Sequence, residues 1–357
     1  MQNVTGRVEL VIIGAGQAGL SAAYHLQRRG LQPWTDFVVV DANPAPGGAW
    51  QHRWASLTLD GVHGIHDLPG MAMERPDPTE PASSAVGRYF AAYEEAFGLP
   101  VRRPVRVTRV DGDGRDRLLR IQSATETWVS RLLINATGTW DTPYWPWYPG
   151  RDLFRGRQLH THDFSSAREF TGQHVVVVGG GTSAVQFLLQ LNQAGATTTW
   201  VTRRPPEFSD QPLDVEWGRD VERRVHARTD AGLVPASVVS VTKLPLAPAY
   251  RRGIDDGILA SVGPMTRITE DGIVLANGRQ VRADAILWAT GFRASLGHLA
   301  PLHLREPGGG IMTRSDGVRL VRDSRVLLVG YGASASTLGA TRAGRTAALE
   351  ALRLLDH

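Results

Sequence analysis

Two short apolar runs near the start of the chain, Val8 to Ile13 and Phe37 to Val40, show almost no alternation of polar and apolar positions. Uninterrupted β-branched runs of this length predict strands buried on both faces, as in a parallel sheet. Between them LSAAYHLQRRG carries apolar residues at helical spacing and stops at Gly30, so the order is strand, helix, strand. The pattern recurs in the middle of the chain. His174 to Val178 is a β-branched run, Val185, Leu188 and Leu189 follow at helical spacing, and TTTWVT predicts the next strand. Helical spacing also marks ERRVHARTDAGL and the closing TRAGRTAALEALRLL. Alternating strands and helices place the chain in the α/β class, with two similar units.

Each unit joins its first strand to its helix through glycines. The first junction is Gly14-Ala15-Gly16-Gln17-Ala18-Gly19. In a G-x-G-x-x-G turn the first glycine permits the tight turn, and the second lets the backbone approach a pyrophosphate. The third lets helix and strand pack closely. The helix N-terminus adds free N–H groups and a positive dipole end. The next strand ends at Asp41, 22 residues past Gly19, where a carboxylate can accept both hydroxyls of an adenosine ribose. PAPGGAW follows, and its Gly47-Gly48 pair ahead of Trp50 suits a loop crossing a flat cofactor at close range. His52, Trp54, His63 and His66, in the segment after it, are candidates for lining a flavin pocket.

The second junction reads Gly179-Gly180-Gly181-Thr182-Ser183-Ala184, with alanine in the third glycine position. Its following strand ends not in an acid but in Arg203-Arg204. An acid there would repel a 2′-phosphate, whereas a guanidinium grips it through paired hydrogen bonds. One turn ending in acid and one in arginine imply two cofactors, FAD at the first and NADPH at the second.

Composition narrows the rest. The 357 residues, 42% hydrophobic and 21% charged, suffice for two domains with their own cores. The net charge of +4 rests on scattered arginines, with Lys243 the single lysine, which argues against a nucleic-acid partner. With no cysteine, disulfide frameworks, thiolate metal sites and Cys-x-x-Cys redox centres are excluded. No cleavable apolar segment precedes the first strand and no run is long enough to span a membrane, so a cytoplasmic location is expected.

VIIGAGQAGLSAA, DANPAPGGAWQHRW, LLINATGTWDTPYWP, VVVVGGGTSAVQ and ADAILWATGFR, in this order, resemble the class B flavin-containing monooxygenases over nearly the whole chain. The short bacterial members of these two-dinucleotide-binding-domain flavoproteins are the most similar. The resemblance includes the fingerprint F-x-G-x-x-x-H with a later aromatic, matched here by Phe154, Gly156, His160 and Phe164. It implies that His160 belongs to the hinge between the domains rather than acting on substrate. His162, outside the fingerprint, receives no role from it. Asp284 to Phe292 resembles the family's D-x-x-x-L-A-T-G-Y element, departing at Trp288 and Phe292, and implies the return strand to the FAD domain. An earlier Ala136-Thr137-Gly138 repeats its A-T-G turn.

The fold implied is two Rossmann-like three-layer domains, with the NADPH domain inserted in a discontinuous FAD domain. FAD-binding residues 1–150 and 283–357 flank NADPH-binding residues 151–282, which carry an insert at 205–264. Cofactor contacts are expected at Gly14, Gly16, Gln17, Ala18, Gly19, Asp41, Ala42, Gly48, Ala49 and Trp50, and at Thr137, Gly138, Gly330 and Tyr331. For the second nucleotide they are expected at Gly181, Thr182, Ser183, Ala184, Arg203, Arg204, Ala289, Thr290 and Gly291. The family's Gly-Asp pair near the C-terminus is replaced by Gly330-Tyr331-Gly332, and no asparagine follows the glycine-aromatic loop, so Asp60 or His63 is expected to fill that space. No metal is expected.

The implied activity is transfer of one oxygen atom from O2, through a C4a oxygen adduct of flavin, to a sulfide, an amine or a ketone. Tyr144, Trp145, Trp147 and Tyr148 are candidates for walling the substrate site, with packing in a linker as the alternative. A homodimer is compatible with this reading. Two rivals remain: a cysteine-free flavin or ferredoxin-type reductase of the thioredoxin-reductase-like fold, and a nucleotide sensor without catalysis.

Overall fold

The computed structural model describes residues 5–62, 65–74, 77–112, 118–210, 227–235, 243–335 and 337–356. They form two compact units, the second inserted in the first.

The first unit is built on a mixed sheet with a parallel half. Strands β1 (Gly6–Ile13), β2 (Phe37–Val40), β3 (Val101–Arg102), β4 (Val107–Gly112), β5 (Leu119–Ser123) and β6 (Thr127–Asn135) take the order β3-β2-β1-β6-β5-β4. The pairs β1–β2, β2–β3 and β1–β6 are parallel, while β4, β5 and β6 form an antiparallel meander. The unbroken apolar runs are explained by burial on both faces. Leu10, Ile12, Phe37 and Val39 share one core with helices α1 (Gln17–Gln27) and α2 (Ala82–Phe97). Val11, Ile13, Val38 and Val40 share another with Leu296, Leu299, Ile311 and Leu320. Successive strand residues point to opposite faces, so one run feeds both cores.

In the second unit β7 (Arg157–His160), β8 (His174–Val178), β9 (Thr197–Val201) and β15 (Ala285–Trp288) form a four-stranded sheet in the order β7-β15-β8-β9. All its pairs are parallel. Helix α3 (Thr182–Gln193) follows β8. Short strands β10 (Phe208–Ser209) and β11 (Leu244–Pro245) pair with each other, and α4 (Pro248–Asp255) follows them. Strands β12 (Met265–Thr269), β13 (Gly272–Leu275) and β14 (Gln280–Arg282) make an antiparallel sheet whose Met265, Ile268, Ile273 and Leu275 join the core of Val176, Val178 and Ile286.

The last strand, β16 (Val326–Leu328), returns to the first sheet and pairs parallel with β6. Helix α5 (Thr337–Leu355) starts four residues earlier than the spacing predicts. It crosses α1 closely, since a Cβ on Gly344 would lie 2.4 Å from the carbonyl oxygen of Ala18. Ser21 and Gln17 reach it through hydrogen bonds to Thr341.

The chain passes between units at 139/140 and 293/294, displaced from the expected 150 and 283. The displacement has a packing cause. Residues 140–150 and 285–293 pair with each other inside the second unit, through a bridge of Pro143 with Phe292 and a bond from Arg293 N to Thr142 O (2.8 Å). Trp145 and Tyr148 pack on the buried Trp288. The expected insert also divides. Of ERRVHARTDAGL, residues 222–226 lie outside the described residues. Residues 227–230 are helical, and Leu233 bridges to Gly309 in the first unit.

Candidate functional site: two nucleotide cradles

In the first unit the turn between β1 and α1 is bound on both sides. Gly14 N donates to Val40 O and Ala136 N to Ile13 O, both at 2.8 Å. Gly14 has φ +103°, and a Cβ there would sit 2.5 Å from Ala136 O. A Cβ on Gly19 would come within 1.8 Å of Gly14 O, so helix and strand meet at backbone distance. Gly16 differs: a Cβ there meets no atom within 4 Å. Its face is open above the carboxyl ends of the strands, where α/β sheets bind ligands. Gly48 lies across this opening, with its Cβ position 2.9 Å from the Cα of Gly16. The PGGAW loop therefore covers the glycine turn instead of forming a separate turn.

Asp41 is buried at the end of β2. Its Oδ2 accepts from Ala15 N at 2.6 Å and its Oδ1 from Asn43 N at 2.7 Å. The Arg103 Nε stands 3.8 Å from Oδ1, and the same guanidinium holds Glu94 through two bonds of 2.6 and 2.7 Å. The acid thus ties the glycine turn to its sheet and keeps an anionic acceptor beside it.

The second unit repeats the construction. Gly179 N donates to Val201 O (3.0 Å), and Ala289 N to Val178 O (2.8 Å). Gly179 has φ +144°, with its Cβ position 2.1 Å from Ala289 O, and Gly181 again faces open space. Ala184 is buried in the third position, followed by Val185, Phe187 and Leu188 on the packed side of α3. Beyond β9, Arg203 and Arg204 are both exposed.

Each glycine turn faces an A-T-G turn. Thr137 Oγ1 donates to Ser295 O at 2.8 Å, and Ser295 N donates to Gly138 O at 2.9 Å. In the second unit Thr290 Oγ1 donates to Tyr144 O, and Tyr144 N to Gly291 O at 2.9 Å. Each A-T-G turn therefore holds the segment that has just entered its own unit. Gly330 comes beside Gly138, its Cβ position 3.7 Å from that Cα. The neighbouring Tyr331 is buried and turns its hydroxyl inward, where it accepts from Ile311 N at 3.0 Å.

His160 ends β7 fully buried. Its Nδ1 accepts from His162 N at 3.1 Å, so Nε2 carries the proton and donates to Gly291 O at 3.1 Å. Burial lowers its pKa from 6.5 to about 4. Both ring nitrogens are spent on backbone, so this neutral ring is a clamp between β7 and the A-T-G turn. Gly156 and the two fingerprint aromatics are structural. A Cβ on Gly156 would strike Asp284 O at 2.4 Å, Phe154 lies in the core, and Phe164 packs on Phe170 and Phe187.

Other expected residues are placed as follows. Gln17 Nε2 donates to His66 O and to Thr341 Oγ1, linking the turn to α5. Ala18 is buried, Ala49 is exposed, and Ala42 and Trp50 are half-buried near the first cradle. Thr182 and Ser183 open α3 and are half-buried. Asp60 is exposed on a short turn and accepts from Thr58 Oγ1. His63 lies outside the described residues. His52 is exposed and bonded to Asn43, while Trp54 is buried. Trp147 is 77% exposed, whereas Trp145 and Tyr148 are packed against the second unit's core.

Three residues at these sites escaped the sequence reading: Arg103, Asn135 and His298. Asn135 ends β6 buried, its Nδ2 donating to Thr137 Oγ1 (3.0 Å). Its Oδ1 accepts from His298 Nε2 at 2.7 Å. Burial lowers the His298 pKa from 6.5 to about 4. A polar residue closing the apolar run LLIN was the available signal for Asn135. Nothing local marks His298, 163 residues away. Among the described residues no group of His, Asp or Glu side chains could hold a metal, and no helix is long and apolar enough to cross a membrane.

Paired cradles of this construction define a two-dinucleotide-binding α/β flavoprotein. Residues 11–239 match the family model described as pyridine nucleotide-disulphide oxidoreductase. The flavin-containing monooxygenase from Stenotrophomonas maltophilia is 36% identical, with 98% of this chain and all of that one covered at a TM-score of 0.83. Indole-3-pyruvate monooxygenase YUCCA1 of Oryza sativa subsp. japonica is 26% identical over 84% of this chain and 79% of its own. The crystal structure of OTEMO in complex with FAD and NADP shares the fold, at 18% identity and a TM-score of 0.66 over 98% of this chain and 85% of that one. The chain belongs to the flavin-containing monooxygenases, within the pyridine nucleotide-disulphide oxidoreductase family. The disulphide chemistry in that family description has no counterpart in a chain without cysteine.

Proposed function

We propose that this flavin-dependent monooxygenase binds FAD in the first cradle and NADPH in the second, and inserts one oxygen atom into a small sulfide, amine or ketone. The observation that carries the assignment is the contrast at the ends of β2 and β9: a buried acid at Asp41 and two exposed arginines at 203 and 204. A ribose with free hydroxyls suits the first, and a ribose 2′-phosphate the second. The cradles fit such groups, because Gly16 and Gly181 leave their backbone faces open while Gly14, Gly19 and Gly179 are closed against protein.

In this reading Asp41 orients the adenosine of FAD, and the N-termini of α1 and α3 meet the pyrophosphates of the two nucleotides. Arg203 and Arg204 select the phosphorylated cofactor. His160 keeps the A-T-G turn of the second unit in register with β7 and takes no part in proton transfer. Reduced flavin, when bound, would supply the two electrons that activate dioxygen, one oxygen atom of which goes to the substrate and the other to water. The chain contributes binding, orientation and exclusion of water.

The test is a stopped-flow experiment. Protein reduced anaerobically with one equivalent of NADPH is mixed with aerated buffer while flavin absorbance is followed. A transient band distinct from reduced and oxidised flavin supports oxygenation, and a screen of sulfides, amines and ketones then locates the substrate. Direct return to the oxidised spectrum favours the reductase reading instead.

A further inference from the structure

The second unit's sheet fixes a direction for its nucleotide. The order β7-β15-β8-β9 is all parallel, so every strand's carboxyl end lies on one edge. The turn after β8 receives the pyrophosphate, and the arginines after β9 receive the 2′-phosphate on one side of it. The other nucleoside half must then extend to the opposite side, over the ends of β15 and β7. Those ends are Ala289 to Phe292 and His160 to Asp163.

Most polar side chains there are already committed. Thr290 Oγ1 bonds Tyr144 O, and Thr161 Oγ1 bonds Trp288 O. Both nitrogens of His160 hold backbone. Asp163 accepts from His160 N through Oδ2 and from His162 Nδ1 through Oδ1, at 3.1 and 2.9 Å. His162 is the exception. With Nδ1–H given to Asp163, its Nε2 is a hydrogen-bond acceptor with no partner among the described residues.

The ring is also held in place. It stacks on Trp140 at 5.1 Å and 30°, Trp140 stacks on Phe292 at 4.9 Å, and Phe292 meets His160 edge-on at 5.0 Å. The short turn Thr161–Asp163 is locked by the reciprocal bonds of His160 with His162 and Asp163. An acceptor fixed by an acid on one side and an aromatic layer on another needs little reorganisation to bind.

We infer that His162 is a binding residue for the nicotinamide riboside half of the pyridine nucleotide, its Nε2 accepting a hydrogen bond from a ribose hydroxyl or from the carboxamide N–H. The inference rests on the second cradle being the NADPH site. Asp163 acts through His162 as its positioning residue.

Calorimetric titration of the FAD-loaded protein with NADP+ and with 2′,5′-ADP, which lacks the nicotinamide half, tests it without turnover. His162→Phe keeps a ring for Trp140 and removes the acceptor. It should weaken NADP+ by about tenfold, the worth of one well-oriented hydrogen bond, and leave 2′,5′-ADP unchanged. His162→Gln, whose amide oxygen can accept, should recover most of that loss. The 3-acetylpyridine analogue of NADP+ has no carboxamide N–H. If wild type binds it as weakly as His162→Phe binds NADP+, the carboxamide is the donor; if wild type binds it undiminished, a ribose hydroxyl is. Equal weakening of both ligands by His162→Phe, or of neither, overturns the inference and leaves His162 as a cover for Trp140. Arg203→Gln is the control and should weaken both ligands. If it leaves 2′,5′-ADP binding intact, the NADPH reading of this cradle fails, and the inference fails with it.

Discussion

The two glycine turns share one plan and differ in two places. In both, the first glycine lies against the alanine of an A-T-G turn, and the middle glycine faces open space. The third position is the first difference: Gly19 touches the carbonyl of Gly14 at backbone distance, whereas Ala184 accommodates a methyl group. The second is the following strand end. Asp41 is buried and bonded into its own turn, while Arg203 and Arg204 stand exposed. The first cradle therefore has a buried acid tied into a turn closed at backbone distance. The second has a turn that admits a methyl group and two exposed arginines at its strand end.

Substitution at the third position should break the comparison hardest. Gly19→Val forces α1 off β1, and overpacking of about 1–3 kcal/mol translates into about a fivefold or greater loss of FAD retention. The measure is the flavin-to-protein absorbance ratio after gel filtration. Ala184→Gly should leave NADP+ affinity within about fivefold of wild type, the equivalent of the roughly 1 kcal/mol of an Ala-to-Gly change in a helix. Comparable losses from both would show that the third position does not distinguish the cradles.

Asp41→Ala comes next. It removes the bond to Ala15 N of the turn, the bond to Asn43 N and the ribose acceptor, and should weaken FAD by about 10- to 100-fold while leaving 2′,5′-ADP binding unaltered. Apoprotein titration with FAD reads the first quantity. Arg203→Gln should raise the NADPH Michaelis constant by about tenfold and that for NADH far less, because only the former has a 2′-phosphate to lose. An equal effect on both nucleotides would sink the assignment.

The smallest effect sharpens a further parallel. Each unit holds a histidine beside its A-T-G turn, His160 fully buried at Gly291 and His298 half-buried at Asn135, both with pKa lowered to about 4 by desolvation. Below the ordinary value of 6.5 the unfolded chain binds protons that the folded chain does not. Stability therefore falls as pH drops from 6.5 toward 4, by at most about 3 kcal/mol for His160, and levels off below. His160→Gln should flatten that part of a plot of Tm against pH more than His298→Gln, because His298 is partly exposed. A wild-type Tm constant between pH 6.5 and 4 would contradict both.

How far such features were legible depends on their range. The strand at Phe37–Val40 and the one at His174–Val178 were readable to the residue, because a both-faces-buried run needs only neighbouring positions to declare itself. The glycine spacings were readable for the same reason. The start of α5 was misjudged by four residues, since Thr337 to Ala340 carries little apolar periodicity. The crossings between units were misplaced because Pro143 pairs with Phe292, a partner 149 residues away that no local pattern announces. Among candidate site residues, Asp41 and the arginines were legible from their place at the end of the strand that follows each glycine turn. Arg103, Asn135 and His298 were missed because each matters through a partner brought in by folding.

The sequence by itself therefore determined the α/β class, the two glycine turns and the opposite charges at the ends of their following strands. All of these are set by residues within one strand–turn–helix–strand unit, where side-chain period and backbone sterics act locally. Only the tertiary structure decided which groups remain available for chemistry. It spent both nitrogens of His160 on backbone, tied Asp41 into its turn, and turned the Tyr331 hydroxyl into the core. It left the Nε2 of His162 as an acceptor without a partner among the described residues. The reason is that a buried polar group must be satisfied by whatever the fold brings to it, and those partners lie far away along the chain.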